Sequence, residues 1–345
     1  MDFSARTNEM KTASFKSDFL VAAIALVILL ALPSIVGGKA FPDFVIRMSA
    51  YAVFATSLNL LIGYGGMVSF GHGLFFGLGA YSFALMLQKL GVSVPVALMG
   101  TVGISALIAL IVGAICIRLK EIYFAFLTLA FQMLFHSSII AWTDVTGGDQ
   151  GLTGGIPRPP FLGIRLDDPV HLYVFCAVML VGSLLIMRHL LQTPFGFSLR
   201  MIRDNPNRCG FLGIIVWRVK LLAFVVAGIF GSIGGLIMSL YISSAYPDFA
   251  YWTMSGEAIF MILLGGMTVF LGPLVGAVTL LLLTDVISST PALKEYNMLV
   301  LGLIILVFAL GLRKGILGSV YEWWADRRRP DSTPNPEAHA SGSHH

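Results

Sequence analysis

The 345-residue sequence is short of charge: only 12% of its residues are Asp, Glu, Lys or Arg, about half the share of an ordinary soluble domain. With 57% hydrophobic residues and a mean hydropathy of +0.86, that shortage excludes one large or two modest water-soluble domains. Cysteine is scarce too. Cys116, Cys176 and Cys209 lie far apart and form no Cys-x-x-Cys pair, so neither a disulfide framework nor a metal site is expected. No Gly-Lys-Ser/Thr triplet occurs, so the glycine-rich stretch Thr146 to Pro157 is not a phosphate-binding loop, and the chain has no visible means of binding ATP. The aromatics lie inside apolar runs rather than on a basic face, which argues against nucleic acid as a partner. No clustered His/Asp/Glu set or nucleophile–base pair points to an enzyme, and no catalytic residue or cofactor is expected.

What is abundant is the long apolar run. A hydrocarbon core of about 30 Å takes roughly 20 apolar residues of helix, and these runs do not alternate with the period of two that a membrane barrel requires. Ten candidate spans follow: 19–36, 44–62, 68–87, 95–117, 121–141, 171–190, 219–242, 256–271, 273–289 and 297–312. The first reads as a retained span rather than a signal, because Gly37-Gly38-Lys39 is a poor cleavage site. The pair meeting at Gly272-Pro273 reads either as two short spans or as one broken helix. With ten spans, sixteen of the 22 basic residues fall on the side of both termini and six on the other, which puts both termini in the cytoplasm. The chain then divides into a cytoplasmic N-terminal segment 1–18, a membrane domain 19–318 and a cytoplasmic tail 319–345, Pro- and Ser-rich and expected to be disordered.

Two connections are long. The outward loop 142–170 carries Gly147, Gly148, Asp149 and Gly151. The inward loop 191–218 is basic. Within it Arg200 and Arg203, three apart, share one face of a short helix beside a small apolar face of Leu199 and Ile202. Asn205 precedes Pro206, so the helix is expected to stop there, and a second short element ends at Gly213. Such a segment either rests on anionic lipid headgroups or docks a cytoplasmic partner.

Gly65, Gly66, Ser69 and His72 belong to a run of small residues that permits both close packing of helices and a break in one. A partial echo follows at Gly265-Gly266-Met267, ending at Gly272-Pro273. Glu257 and Asp285 are the acids placed within spans, each near the outer end, where interfacial water accounts for them without a proton relay. Asn59, Thr128 and Gln132 are uncharged polar groups that either line a path or bond between helices.

Taken together, these strings resemble the permease subunits of branched-chain (hydrophobic) amino-acid ABC importers, over about residues 44–318. The matching pieces are Ser57 to Gly66 with Val68 to Gly73, Thr146 to Pro157, Leu199 to Asn205 with Leu212-Gly213-Ile214, Lys220 to Phe224, Leu264 to Met267 with Gly272 to Ala277, and Arg313 to Gly318. Gly-Tyr-Gly-Gly with Ser-Phe-Gly-His-Gly is similar to the longer of the two permeases such systems pair. The resemblance implies an all-α, type II-like permease of about ten spans in a bacterial inner membrane, without catalytic activity of its own. It implies a second permease as heterodimer partner, two cytoplasmic ATP-binding subunits and a periplasmic solute-binding protein. It assigns Leu199, Arg200, Ile202, Arg203, Asp204, Asn205 and Gly213 to ATPase coupling. The sequence departs from the family pattern at Pro206 to Gly210, where small and acidic helix formers are commoner. Substrates of the wider family include branched-chain and other amino acids, urea, amides and aromatic acids. The alternative is an ion-gradient-driven carrier using Glu257, Asp285 or His72.

Overall fold

A computed structural model describes residues 18–33, 38, 40–153, 155–161, 163, 165–290, 296–311 and 315–319. The N-terminal segment and the tail predicted from sequence lie almost wholly outside these residues. A helix lies over each of the ten apolar runs. They are α1 (Asp18–Pro33), α2 (Ala40–Asn59), α3 (Gly73–Gln88), α4 (Val94–Cys116), α5 (Glu121–Ala141) and α6 (Pro169–Gln192). Two short helices of the inward loop follow, α7 (Pro194–Asp204) and α8 (Pro206–Phe211), and then α9 (Val216–Ile242), α10 (Trp252–Gly265), α11 (Gly272–Ser289) and α12 (Asn297–Gly311). Among the described residues, six helices are long and apolar enough to cross a membrane: α2 with its extension, α4, α5, α6, α9 and α11. By contrast α3, α10 and α12 have 16, 14 and 15 residues, about 21–24 Å of helix at 1.5 Å per residue.

The helices sort into inner and outer by burial. In α2 and α9, 83% and 72% of the most apolar window is buried, against 28% in α4 and in α5. The inner pair can be central because their contact faces are small. A Cβ on Gly79 of α3 would fall on the carbonyl of Ser232, and one on Gly235 of α9 on the carbonyl of Phe76. Without lipid-excluding hydrophobic force between helices, such close backbone approach is the main attraction available. The outer helices instead expose large apolar side chains, among them Met99, Leu107, Phe126 and Leu134. A surface of this kind suits hydrocarbon or a partner chain rather than water.

The junction at Gly272-Pro273 is a hairpin of two helices. A Cβ on Gly276 would fall on the carbonyl of Met261, and one on Gly265 on that of Gly272, so positions on the two helices run antiparallel in register. Pro273 opens α11 at a position where no amide hydrogen bond is lost.

Polar side chains tie the outer shell down. Asp285 of α11 is paired with Arg47 of α2, the guanidinium donating at 2.7 and 3.1 Å to the two carboxylate oxygens. Asp285 thus has a bonded partner, where sequence placed it in interfacial water. Asp18 accepts from Arg188 at 2.7 Å, and the Tyr173 hydroxyl donates to the Leu29 carbonyl at 2.5 Å, fastening α1 to α6 at both ends.

A methyl group at a contact glycine has nowhere to go, whereas Gly103 of α4 has nothing within 4 Å of its Cβ position. Gly235→Ala is expected to destabilise by about 1–3 kcal/mol, the usual cost of overpacking, and Gly103→Ala to leave stability unchanged or raise it. Thermal unfolding midpoints of the purified protein in one detergent check this.

Candidate functional site

The first glycine run marks where α2 gives way. Its helix loosens into a π-helix over Leu60–Tyr64 and then leaves helical form until α3 begins at Gly73, so the sequence-predicted span 68–87 starts five residues too early. Gly65 ends the π segment, its amide donating to the Leu61 carbonyl at 3.1 Å, and the Met67 amide donates to the same carbonyl at 2.8 Å. Gly66 has φ of +65°, a value a side chain resists. π segments recur where a helix is bent for function.

The broken backbone is satisfied by neighbouring chain segments. Arg203 of α7 donates to the Gly63 carbonyl. The Asn59 amide donates to the Met267 carbonyl at 3.3 Å, which brings the echoed second run against the first. There Gly265 ends α10, Gly266 has φ of +110°, and a Cβ on Gly272 would fall on the Gly266 carbonyl. Two stretches that sequence treated as a weak repeat therefore form one junction. His72 is fully buried, stacked on Phe54 with ring centroids 5.3 Å apart and bonded to the Ser57 hydroxyl at 2.8 Å. Ser69 is fully buried, and its hydroxyl has no partner among the described residues.

The α3 start is held from the other side. The Gly73 amide donates to the Ser255 hydroxyl at 2.7 Å, and Ser255 donates to Gln132 Oε1 at 2.8 Å. Gln132 Nε2 donates in turn to the Tyr251 and Ala250 carbonyls at 2.7 and 3.2 Å. Ser255 was missed from sequence. Gln132 was legible only as a polar residue four positions after Thr128, on the same face of α5.

Helix α7 lies across the junction. Leu199 and Ile202 are buried, the former beside Gly65. Arg200 donates to the Leu191 carbonyl at 2.7 Å, near the end of α6, and its guanidinium lies 4.9 Å from the Phe197 ring centroid and 5.9 Å from that of Tyr64. Both arginines thus face their own chain. Helix α7 ends at Asp204, which is exposed, and Asn205 begins α8 by accepting from the Arg208 amide at 3.0 Å. Gly213 follows with φ of +80° and open space around it. What this segment turns outward mixes charge with large apolar side chains: Asp204, Asn207 and Arg208 are exposed beside Phe197 at 55%, Met201 at 41%, Phe211 at 92% and Leu212 at 73%.

The other long loop packs over the opposite end of α9. Gly147, Gly148 and Gly151 all have positive φ, and the Leu152 amide donates to the Ala245 carbonyl at 2.8 Å. Arg158 donates to the Leu240 and Tyr241 carbonyls at 2.8 and 2.9 Å, closing the C-terminal end of α9. Asp149 is exposed. Among the described residues no group of three or more His, Cys, Asp or Glu is placed to hold a metal.

Two glycine breaks thus meet under a docked loop helix within a bundle of apolar helices. The family described as "Branched-chain amino acid transport system / permease component" matches residues 41–309, and the chain belongs to this family of ABC-importer permeases. It is similar to the high-affinity branched-chain amino acid transport system permease protein LivM of Salmonella typhimurium, 26% identical over 322 residues that cover 87% of this chain and 74% of the relative. It is also similar to the ribose import permease protein RbsC of Haemophilus influenzae, 27% identical over 312 residues, covering 83% and 90%. The guanosine ABC transporter permease protein NupQ of Bacillus subtilis is 27% identical over 184 residues, covering 49% and 55%. No solved structure matches the chain.

Gln132→Leu removes the acceptor of the Ser255 hydroxyl and the donor to the Ala250 carbonyl, while the Tyr251 carbonyl keeps the Met254 amide; each unsatisfied buried group costs about 1–3 kcal/mol. A lowered unfolding midpoint is expected for it, and none for Leu134→Ala at a 62% exposed position. Equal midpoints would mean that the network holds nothing.

Proposed function

We propose that this chain is the membrane-spanning permease subunit of a binding-protein-dependent ABC importer, carrying a branched-chain or other hydrophobic amino acid or a related small solute. The family description and LivM support the amino-acid reading, while the ribose and guanosine permeases among its relatives widen the cargo class. ATP is hydrolysed in trans by two cytoplasmic subunits, a second permease completes the path, and a periplasmic protein delivers the solute. In this reading the subunit has about ten spans in a type II-like arrangement, sits in the inner membrane, and keeps both termini in the cytoplasm.

The observation that carries the reading is the two-sided character of α7 and α8. One side is bonded to the helix junction through Arg203 and packed on it through Leu199, and the other presents large exposed apolar side chains among charged ones. A surface exposing Phe211 and Leu212 on a water-facing loop suits a protein partner better than a headgroup layer alone. Conformational change in an ATPase held there reaches the glycine junction through one short helix. The translocation path is assigned to the breaks at Asn59, Gly65, Gly66, Ser69 and His72 and at Gly265, Gly266, Gly272 and Pro273, following the placement of transporter sites at broken helices. An ion-gradient carrier has less support, since two of the three groups it would use are engaged, Asp285 by Arg47 and His72 by Ser57, which leaves it Glu257.

Arg203 and Asn205 have partners within the chain, so their replacement disturbs the fold as well as docking. The outward residues give the cleaner test. Met201→Asp with Phe211→Asp is expected to abolish co-purification of the ATPase and ATP-dependent uptake while leaving the thermal midpoint of the isolated subunit unchanged. Retained co-purification and uptake would remove the coupling assignment.

A further inference from the structure

A cavity of about 400 Å³ opens where the end of α5, the turn Gly148–Gln150 and the segment leading into α10 meet. That is within the size range of small-molecule sites. Its walls are His136, Asp149, Tyr246, Asp248 and Tyr251, with Ile140 and Pro247 as the apolar part. It lies at the end of the helices that carries the loop 142–170, the side opposite α7.

The chemistry of these walls is one-sided. Two carboxylates line the cavity and no Lys or Arg does. Among the described residues neither carboxylate has a hydrogen bond or an ion pair, although Arg158 of the same loop is fully engaged at the α9 end. Two tyrosine rings stand beside them, and electron-rich ring faces attract cations as carboxylates do. His136, whose ring centroid is 4.9 Å from that of Tyr251, is the cavity's one nitrogen-bearing side chain.

The cavity is also anchored. The Tyr251 carbonyl accepts from Gln132, and Gln132 leads through Ser255 to the Gly73 amide at the start of α3. Its wall is therefore bonded to the segment that sequence and structure both mark as the broken helix.

We infer that this cavity is an outer binding site for the ammonium group of an aliphatic solute, held by Asp149 and Asp248 with the rings of Tyr246 and Tyr251. Ile140 and Pro247 meet the solute's hydrocarbon part, and His136 is placed to donate to a carboxylate when the solute is a free amino acid. The inference rests on the permease reading and narrows its cargo: ammonium-bearing solutes fit, while sugars and amine-free acids gain nothing from the two carboxylates.

The test uses the full-length chain in lipid nanodiscs and four probes: L-leucine, 3-methylbutylamine, 4-methylpentanoate and D-ribose. Saturation-transfer NMR is expected to show binding of the two amines and not of the acid or the sugar. Asp149→Asn with Asp248→Asn should weaken both amines at least tenfold without changing the thermal midpoint. Binding of 4-methylpentanoate as tight as leucine, unchanged amine binding in the double variant, or no binding by the wild type would each overturn the site. ATP-dependent uptake by the assembled importer is scored separately. Amine binding without ATP-driven uptake leaves the site standing and removes the permease reading; leucine uptake indifferent to the double variant does the reverse.

Discussion

A helix that stops inside a bilayer leaves amides and carbonyls with no water to meet them, and each such group costs several kcal/mol if nothing else does. The irregular stretch between the π segment at Leu60–Tyr64 and the start of α3 at Gly73 leaves such groups within the packed bundle, and much of the remaining structure meets them. The Gly63 carbonyl is met by Arg203, which fixes α7 against the bundle. Asn59 reaches the Met267 carbonyl, which fixes the α10–α11 turn against α2. The Gly73 amide is met by Ser255, which fixes α10 against α3 and, through Gln132, brings in α5. Three separate parts of the chain are held in place because one helix is interrupted.

The interruption also explains the glycines. Where the α2 turn meets the α10–α11 turn, a Cβ on Gly63 would stand 2.6 Å from the Met267 carbonyl oxygen, and within the hairpin a side chain at Gly265, Gly272 or Gly276 would overlap a carbonyl. The short helix α10 has its junction end buried in protein at Leu264 and Gly265, where irregular backbone is tolerated, while Trp252 at its other end is 50% exposed.

Much of the scaffold was legible in the sequence, because long apolar runs and glycine–proline punctuation are local signals. The ten runs, the stop at Asn205 before Pro206 and the break near Gly65 were all readable from neighbours in the chain. What was not legible depends on distant partners. Arg200 and Arg203 read as a free basic face, since nothing local reveals that the carbonyls of Leu191 and Gly63 await them. Asp285 read as a solvated acid because its partner, Arg47, is 238 residues away. Ser255 carries no pattern at all; only the three-helix crossing gives its hydroxyl two partners. The family resemblance located the functional segments but did not separate the side chains facing the fold from those facing a partner.

That separation bears on how one scaffold comes to be shared among permeases whose names specify branched-chain amino acids, ribose and guanosine. The bonds at the junction are made largely to backbone carbonyls and amides, so they impose a shape and no chemistry on what passes. The inferred ammonium site instead lies at the loop ends, around Asp149, Asp248 and Tyr251, where substitutions leave helix packing alone. The two regions are nonetheless continuous, because the Tyr251 carbonyl and the Gly73 amide share the Gln132–Ser255 pair. A solute that shifts the Tyr251 turn changes the geometry offered to the α3 start. A partner that shifts α7 changes the carbonyl at Gly63 on the same broken segment. In the proposed reading, cargo and motor act on one interrupted segment from opposite ends, which is the physical requirement for coupling transport to an ATPase held in trans.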